Sequence, residues 1–256
     1  MPTISNIYFS EHKSKNAFYL PVILLHGAGS NHLCWPAEIR RLQNFHTIAI
    51  DLPGHGKSPG TGFHDLKSYT KILLDFFREA GWYRVFLVGH SMGGAIALQF
   101  ALEHPEHVIG MSLLSTSASF SIKKEIVESF RSSKTSELGR DQIINMIAPL
   151  KGQTSWFPSI KRSFKETRDS LIYADYRACN LFDVRSNIKE IQVPTQIFAP
   201  TNDSFVSYSS SSFLAKKIPG AELVTCFQNG HMVMLEDPQL VSQELFSFLT
   251  RNKPII

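Results

Sequence analysis

One glycine-rich turn constrains the fold of this chain of 256 residues more than any other segment. The run Gly89-His90-Ser91-Met92-Gly93 has the spacing G-x-S-x-G, follows an apolar stretch typical of a strand and opens a stretch typical of a helix. Positions 89 and 93 need glycine because a side chain there would clash with the backbone of so sharp a turn. We expect the turn to lift the Ser91 hydroxyl out at the carboxyl edge of a sheet, above a helix N-terminus that can stabilise negative charge.

Short apolar runs alternate with helical patterns over most of the chain. The runs show no polar alternation, which is typical of strands buried on both faces of a parallel sheet. We predict strands over 22–25, 47–50, 84–88, 108–114, 195–199 and 223–227. Apolar positions spaced three and four apart predict helices over 68–80, 92–103 and 238–249. The alternation predicts an α/β fold with a mostly parallel, doubly wound sheet.

One segment, 119–188, breaks this alternation because it contains helical spacing and no convincing strand. We predict that it is a helical cap inserted between two sheet strands of a single domain spanning 1–256. Both of its attachment points would lie near the carboxyl edge of the sheet, so the cap would cover Ser91. Candidates for an apolar substrate pocket are Phe120, Trp156 and Phe164 of the insertion and Val206 beyond it. Simple packing of the cap on the sheet is the competing interpretation for the aromatic residues.

A serine nucleophile needs an adjacent base, and an orienting carboxylate beyond the base. Of the ten histidines, His231 is the strongest candidate, because it follows a predicted strand and Gly230 and precedes the last helix. Asp203 lies in the loop after the strand over 195–199. Both loops belong to the same sheet edge as Ser91, so the sequence predicts a catalytic triad of Ser91, His231 and Asp203.

Other residues compete for the last two roles. The alternatives are His26, His55 and His90 for the base, and Asp51, Asp175 and Asp183 for the acid. The first two histidines sit on tight glycine turns and are expected to brace loops, while the third neighbours the nucleophile on a turn where adjacent side chains usually diverge. The first aspartate precedes a Pro-Gly turn that it would brace. The other two lie in the insertion, where a helix need not face the site.

An oxyanion formed during attack on a carbonyl needs two hydrogen-bond donors. One is expected from the amide of Met92, directly after the nucleophile. The other is expected from the amide of Ala28, in the His26-Gly27-Ala28-Gly29 loop that follows the first predicted parallel strand.

Together these motifs resemble the α/β-hydrolase fold superfamily, specifically its small, single-domain, esterase-like members with a helical cap. The matching segments, from about 22 to 249, are 26–29 with Trp35 downstream, 51–58, the turn at Ser91, the Asp203 loop, and Gly230-His231 followed by 236–238. The resemblance implies the serine, acid, histidine order along the chain. Pro200 and Ser207 depart from it, because the family often has Gly and Pro at these two positions.

The resemblance also separates reaction classes. Dehalogenases and epoxide hydrolases of this fold use aspartate at the turn, so Ser91 argues against both. Carbon–carbon bond hydrolases often have Asn before the nucleophile, so His90 favours ester hydrolysis. We expect a serine hydrolase that cleaves a small-molecule carboxylic ester through an acyl-enzyme, with no metal or organic cofactor. The alternatives are a lactonase, thioesterase or carbon–carbon hydrolase with the same triad, or a ligand receptor that retains the pocket.

Composition excludes several other classes of protein. A content of 43% hydrophobic and 19% charged residues fits a globular chain and argues against a disordered one. The net charge of +4 comes from scattered basic pairs, so we expect no nucleic-acid partner. The sequence has no apolar run long enough to span a membrane and no visible secretory signal, so we expect a cytoplasmic protein. Three widely spaced cysteines suggest neither a disulfide framework nor a zinc site.

Overall fold

The computed structural model describes residues 3–15, 20–148 and 154–254. Within these residues the strands are β1 Thr3–Ile4, β2 Ile7–Lys13, β3 Pro21–Leu25, β4 His46–Ile50, β5 Val85–His90, β6 Val108–Leu114, β7 Thr195–Pro200 and β8 Glu222–Cys226. They form one sheet in the order β1-β2-β4-β3-β5-β6-β7-β8. The pairings from β4 through β3, β5, β6 and β7 to β8 are parallel, whereas β2 pairs antiparallel with both β1 and β4. The predicted α/β class with a mostly parallel sheet is confirmed.

The sequence predicts the five central strands and the edge strand β8. Every residue of β3, β4, β5, β6 and β7 is buried, as expected for strands covered on both faces. Strands β1 and β2 have no counterpart among the predicted strands. The burial of β2 alternates along its length because this strand lies near the antiparallel end of the sheet, so it shows no continuous apolar run.

The helices among the described residues are α1 Ala37–Arg40, α2 Leu66–Glu79, α3 Met92–Glu103, α4 Lys124–Ser129, α5 Ser133–Ile147, α6 Phe157–Glu166, α7 Asp169–Leu181, α8 Tyr208–Lys217, α9 Val233–Glu236 and α10 Pro238–Arg251. Short 3₁₀ turns lie at His32–Cys34, Pro105–His107 and Ile188–Glu190. The start of α2 is determined by Asp65, whose carboxylate accepts the Ser68 N–H at 2.8 Å and so caps the first turn. None of the helices in the described ranges is long and apolar enough to cross a membrane.

Alternate residues of each central strand belong to two different cores. Ile23 and Leu25 pack into the cluster that contains residues of α2 and α3, whereas Val22 and Leu24 pack into the cluster that contains Trp35 and residues of α10. This division follows from the twofold periodicity of a strand, which points successive side chains to opposite faces. The sheet is therefore a middle layer with helices on both sides.

Four helices, α4 to α7, lie between β6 and β7 in the described part of the chain. They bury a third hydrophobic cluster of their own, which includes Phe130, Ile143 and Tyr176. An isolated antiparallel bridge between Ser119 and Asp183 joins the two ends of this helical segment. The expectation that both attachment points of the insertion lie near the carboxyl edge is wrong for the second one, because β7 is parallel to β6 and the chain enters it at the opposite edge of the sheet. Within the predicted cap, 119–188, positions 149–153 lie outside the described residues. Four positions at the ends of the predicted single domain, 1–2 and 255–256, also lie outside them.

Candidate active site

Ser91 sits on a strained turn between β5 and α3. Its backbone has φ 51° and ψ −116°, in a region that a residue with a side chain rarely adopts. A Cβ at Gly89 would collide with the Gly93 carbonyl, and a Cβ at Gly93 would collide with the carbonyl of Leu25. The two glycines therefore allow β5, β3 and the start of α3 to approach closely enough to form the turn.

Three hydrogen bonds hold this strained residue in place. The Ser91 N–H donates to Leu114 O at 2.9 Å, and Ser91 O accepts from Ala95 N at 3.1 Å and from Thr116 Oγ1 at 2.7 Å. A backbone strain of about 1–3 kcal/mol persists only where such surroundings determine the conformation. The Ser91 hydroxyl forms no hydrogen bond with any other described residue, so the strained turn presents an unengaged hydroxyl.

His231 and Asp203 form a buried pair. Asp203 Oδ2 lies 2.8 Å from His231 Nδ1, and both side chains are almost fully buried. The other carboxylate oxygen, Oδ1, accepts the backbone N–H groups of Phe205 and Val206, each at 2.8 Å. A carboxylate at Nδ1 favours the tautomer that carries its proton there, which leaves Nε2 as the basic nitrogen.

Two residues hold the loop of His231, and the sequence analysis did not assign this role to either. The His90 ring lies 4.9 Å from the His231 ring, and its Nε2 atom lies 3.0 Å from His231 O. Burial holds the pKa of His90 well below its ordinary value, so the ring is neutral. Glu236 Oε2 accepts the Gly230 N–H at 2.6 Å, and burial raises the pKa of this carboxyl. The expected divergence of His90 from the site is therefore wrong, because its ring bonds the backbone of the candidate base.

Ser91 and His231 line one small chamber, of about 40 Å³, together with Ala28. Met92 is the first residue of α3, directly after Ser91. The amide N–H groups of Ala28 and Met92 donate to no acceptor within the described ranges, so both are free to bind an oxyanion. The N-terminus of α3 adds a favourable partial positive charge at the same point.

The four predicted pocket residues line three different cavities. Phe164 lines the chamber of Ser91. Phe120 and Val206 line a larger cleft of about 890 Å³, and Trp156 lines a third cavity of about 160 Å³. The chamber and the larger cleft share Phe205 as a wall, and the Phe205 ring lies 5.0 Å from the His231 ring.

His26 has both ring nitrogens engaged in loop contacts. Nδ1 lies 2.8 Å from Gly27 O, and Nε2 accepts the N–H of Leu52 at 3.0 Å. Burial and the neighbouring His55 ring lower the pKa of His26 to about 4. The residue is thus a neutral brace between the loops that follow β3 and β4.

The other acids compete poorly for the role of Asp203. Asp175 is fully buried but pairs with His55, whose Nε2 lies 2.8 Å from Asp175 Oδ2. The second ring nitrogen of His55 faces Pro53 O at 3.1 Å, so this pair has no free base. Asp51 Oδ1 accepts the backbone N–H of His32 and also lies 2.8 Å from the Nδ1 atom of its ring. Asp183 is exposed and pairs with Arg185. Asp175 of the insertion points into the core, but its hydrogen bonds go to Gly29, His55 and Tyr69 and none goes to His231.

Residues 21–238 match the family model described as alpha/beta hydrolase fold. The chain belongs to this family. The loops that carry Ala28, Ser91 and Asp203 all lie within the matched segment, and so does His231.

Other members and structures resemble this alpha/beta hydrolase along nearly its whole length. A pimeloyl-acyl-carrier-protein methyl ester esterase of Vibrio vulnificus (strain YJ016) is 24% identical over 246 residues, which cover 89% of this chain and 93% of that protein. A thermophilic esterase from Thermogutta terrifontis superposes with a TM-score of 0.86 at 20% identity, over 97% of this chain and 94% of that chain. The enol-lactonase from Burkholderia xenovorans LB400 superposes with a TM-score of 0.87 at 19% identity, over 95% and 96%. At these identities the structural similarities show a shared fold.

Proposed function

We propose that this alpha/beta hydrolase cleaves a carboxylic ester by nucleophilic catalysis with Ser91, His231 and Asp203. The observation that carries the proposal is the 2.8 Å contact between His231 Nδ1 and Asp203 Oδ2, made by a histidine that lines the same chamber as the strained Ser91. A serine becomes a nucleophile only when a neighbouring base accepts its proton, and that base needs a partner that fixes its tautomer.

In the first half of the reaction, Ser91 Oγ attacks the ester carbonyl carbon while His231 Nε2 accepts the hydroxyl proton. The carbonyl π electrons move to oxygen, and the amides of Ala28 and Met92 bind the resulting oxyanion. The tetrahedral intermediate then collapses, the bond to the alcohol breaks, and His231 gives its proton to the departing alkoxide. Asp203 stays ionised throughout and stabilises the charged imidazole.

In the second half, a water molecule attacks the acyl-enzyme with His231 as the base. A second oxyanion forms at the same two amides, and its collapse releases the carboxylic acid and returns the proton to Ser91. The Ala28 and Met92 amides act in both halves, because each half builds the same kind of charge on the same oxygen.

The size of the chamber supports a preference for short acyl groups. A volume of about 40 Å³ holds a few atoms beyond the reacting carbonyl. The larger cleft shares Phe205 with the chamber and would suit the remaining part of a substrate. We infer that α4 to α7 act as a cap that determines this preference, since Phe164 of α6 closes the chamber.

Steady-state turnover of chromogenic esters from acetyl to octanoyl tests the proposal, with matched thioesters and lactones in the same assay. We expect many turnovers per protein molecule and the highest kcat/KM for the short acyl esters. A ligand receptor that retains the pocket would give one turnover or none, and a thioesterase or lactonase would prefer its own substrate to the matched ester. Either of these results would contradict the proposal.

A further inference from the structure

The insertion holds the residue that follows Ala28 at both of its backbone polar groups. The Gly29 N–H donates to Asp175 Oδ2 of α7 at 2.8 Å, and Gly29 O accepts from Thr167 Oγ1, between α6 and α7, at 2.9 Å. Gly29 also lies directly under Phe164, since a Cβ at this position would be 2.6 Å from the phenyl ring. The loop that carries Ala28 therefore cannot shift without breaking contacts to α6 and α7.

The Asp175 carboxylate is itself held from three sides. It is fully buried, and beyond the Gly29 amide it accepts from His55 Nε2 at 2.8 Å and from the Tyr69 hydroxyl at 3.0 Å. Both ring nitrogens of His55 face acceptors, Asp175 Oδ2 and Pro53 O, which suits a protonated ring that balances the carboxylate charge. The three donors come from three different segments of the core, so the position of the carboxylate is strongly determined.

We propose that Asp175 is a positioning residue of the oxyanion hole, which fixes the Gly29 peptide and thereby aims the Ala28 amide at the reacting carbonyl oxygen. The inference rests on the proposed ester hydrolysis. Gly27 to Ser30 form a turn in which Ser30 N–H donates to Gly27 O at 3.2 Å, and Gly29 has φ +64°. The Gly29 N–H donates to Asp175 and is therefore not available to an oxyanion. Within this turn, the amide of Ala28 is the one that can bind it.

Asp175 acts through the loop and touches no reacting atom. The candidate base, His231, uses Asp203 as its carboxylate partner, and the side-chain hydrogen bonds of Asp175 to described residues go to Gly29, His55 and Tyr69. A displaced oxyanion donor weakens binding of the transition state more than binding of the ester, because the full negative charge on oxygen exists only in the transition state. The expected signature is therefore a loss of kcat with little change in KM.

The test compares Asp175→Asn with Tyr69→Phe in the full chain. Gly29 and His55 both bond Oδ2 of Asp175. In the asparagine variant this position holds either a neutral amide oxygen, which is a weaker acceptor than a carboxylate, or an N–H₂ group, so the bond to Gly29 weakens or is lost. We expect kcat to fall about 10–100-fold with KM within about threefold of wild type. Affinity for a trifluoromethyl ketone, which mimics the tetrahedral intermediate, should fall by the same factor. Tyr69→Phe removes only the donor to Oδ1, and the bonds from Gly29 and His55 to Oδ2 still hold the oxygen that fixes the Gly29 peptide. Its kcat should therefore stay within about threefold.

Equal losses of kcat in both variants, or an unchanged kcat in Asp175→Asn, would overturn the proposal. If Asp175→Asn does not fold, Asp175→Glu decides, because it keeps the charge but moves the carboxylate relative to the Gly29 N–H. We expect a loss of kcat with little change in KM again, and an unchanged kcat in this variant would overturn the proposal.

The amide proton resonance of Gly29 in ¹⁵N-labelled protein gives a readout that does not depend on turnover. A hydrogen bond to a carboxylate shifts this resonance downfield, so it should move upfield in Asp175→Asn and stay in place in Tyr69→Phe. A resonance that does not move in Asp175→Asn would overturn the proposed contact. A wild-type protein that hydrolyses no ester would instead overturn the proposed function, and the two failures are thus distinguishable.

Discussion

Asp203 uses its two carboxylate oxygens for different purposes. Oδ1 accepts the N–H groups of Phe205 and Val206 and so shapes its own loop, while Oδ2 orients the His231 ring. The helix that follows has a different N-cap, Ser207, whose hydroxyl accepts the Ser210 N–H at 3.2 Å. Ser207, at a position where the family often has Pro, therefore caps α8. Asp203 is not needed as the cap of this helix and is free to bind His231.

We predict that Asp203→Asn keeps the fold but lowers kcat by about 10⁴-fold, because an amide at this position favours the wrong histidine tautomer. Circular dichroism checks the fold, and ester turnover gives the rate. Asp183→Asn is the matched control, since Asp183 is exposed and pairs with Arg185. A nearly wild-type rate in Asp203→Asn would mean that another acid orients the base.

We predict that protonation of His26 lowers the free energy of unfolding as the pH falls from about 6.5 to about 4. The unfolded chain binds a proton near pH 6.5, whereas burial and His55 lower the pKa of the native His26 to about 4, despite the opposing charges of Asp51 and Asp175. Stability from this residue is therefore complete above the unfolded pKa and is lost as the pH falls towards the native one. At 1.36 kcal/mol per pKa unit the loss is about 3 kcal/mol.

The comparison of urea unfolding at pH 7.5 and pH 5 in wild type and His26→Gln measures this contribution. Glutamine can donate and accept but does not titrate, so the variant should be less stable at pH 7.5 and lose less stability on acidification. An identical loss of stability in the two proteins would contradict the assignment.

The role of a residue could be predicted from the sequence where it follows from a local motif. It could not be predicted where it depends on a contact with a distant segment of the chain. The turn at Ser91 and the loops of Asp203 and His231 follow from strands that end at one sheet edge. The contact between Gly29 and Asp175 joins positions 146 residues apart, and no motif marks it. The same is true of His90 and the backbone of His231, which lie 141 residues apart.

The helices α6 and α7 of the insertion each place one residue against the candidate site. Phe164 of α6 lines the chamber, and Asp175 of α7 holds the loop of Ala28. On the account proposed above, the insertion influences the chemical step as well as the fit of the substrate. Only the covering role of the insertion follows from its sequence, because helical spacing indicates that a helix exists and does not indicate which residues its side chains contact.

We predict that Phe164→Ala shifts the preference of the enzyme towards longer acyl groups. Removing the ring enlarges the chamber, and apolar pockets discriminate by about 10–200-fold per methylene-sized change. The measurement is the ratio of kcat/KM for octanoyl and acetyl esters, in which the fraction of folded enzyme cancels. Trp156→Ala is the matched control, because Trp156 lines a different cavity and should leave the ratio unchanged. Equal ratios in all three proteins would mean that Phe164 only packs the insertion on the core.

The strands differ in how far their sequences predict them. The five central strands fall within two residues of their predicted bounds, because each is a continuous buried apolar run. The last strand begins and ends one residue before its prediction, and Phe227 beyond it is 77% exposed. An apolar residue at the surface looks like part of a buried run when only the sequence is read.

At the scale of the whole molecule, the parallel order of the sheet brings the site together. Ala28, Ser91, Asp203 and His231 follow β3, β5, β7 and β8, and the carboxyl ends of parallel strands lie at one edge. The positions span more than 200 residues of sequence. The fold therefore determines the site, while the insertion and the loop of Phe205 determine the space around it.

The most direct test of the account is the mass-spectrometric mapping of a fluorophosphonate probe, which phosphonylates an activated serine. We predict one covalent label, on the peptide that contains Ser91. Ser91→Ala should abolish the label and lower ester turnover by about 10⁴–10⁶-fold. A label on a different residue, or an Ser91→Ala variant that keeps its turnover, would contradict the central claim that Ser91 is the nucleophile of this hydrolase.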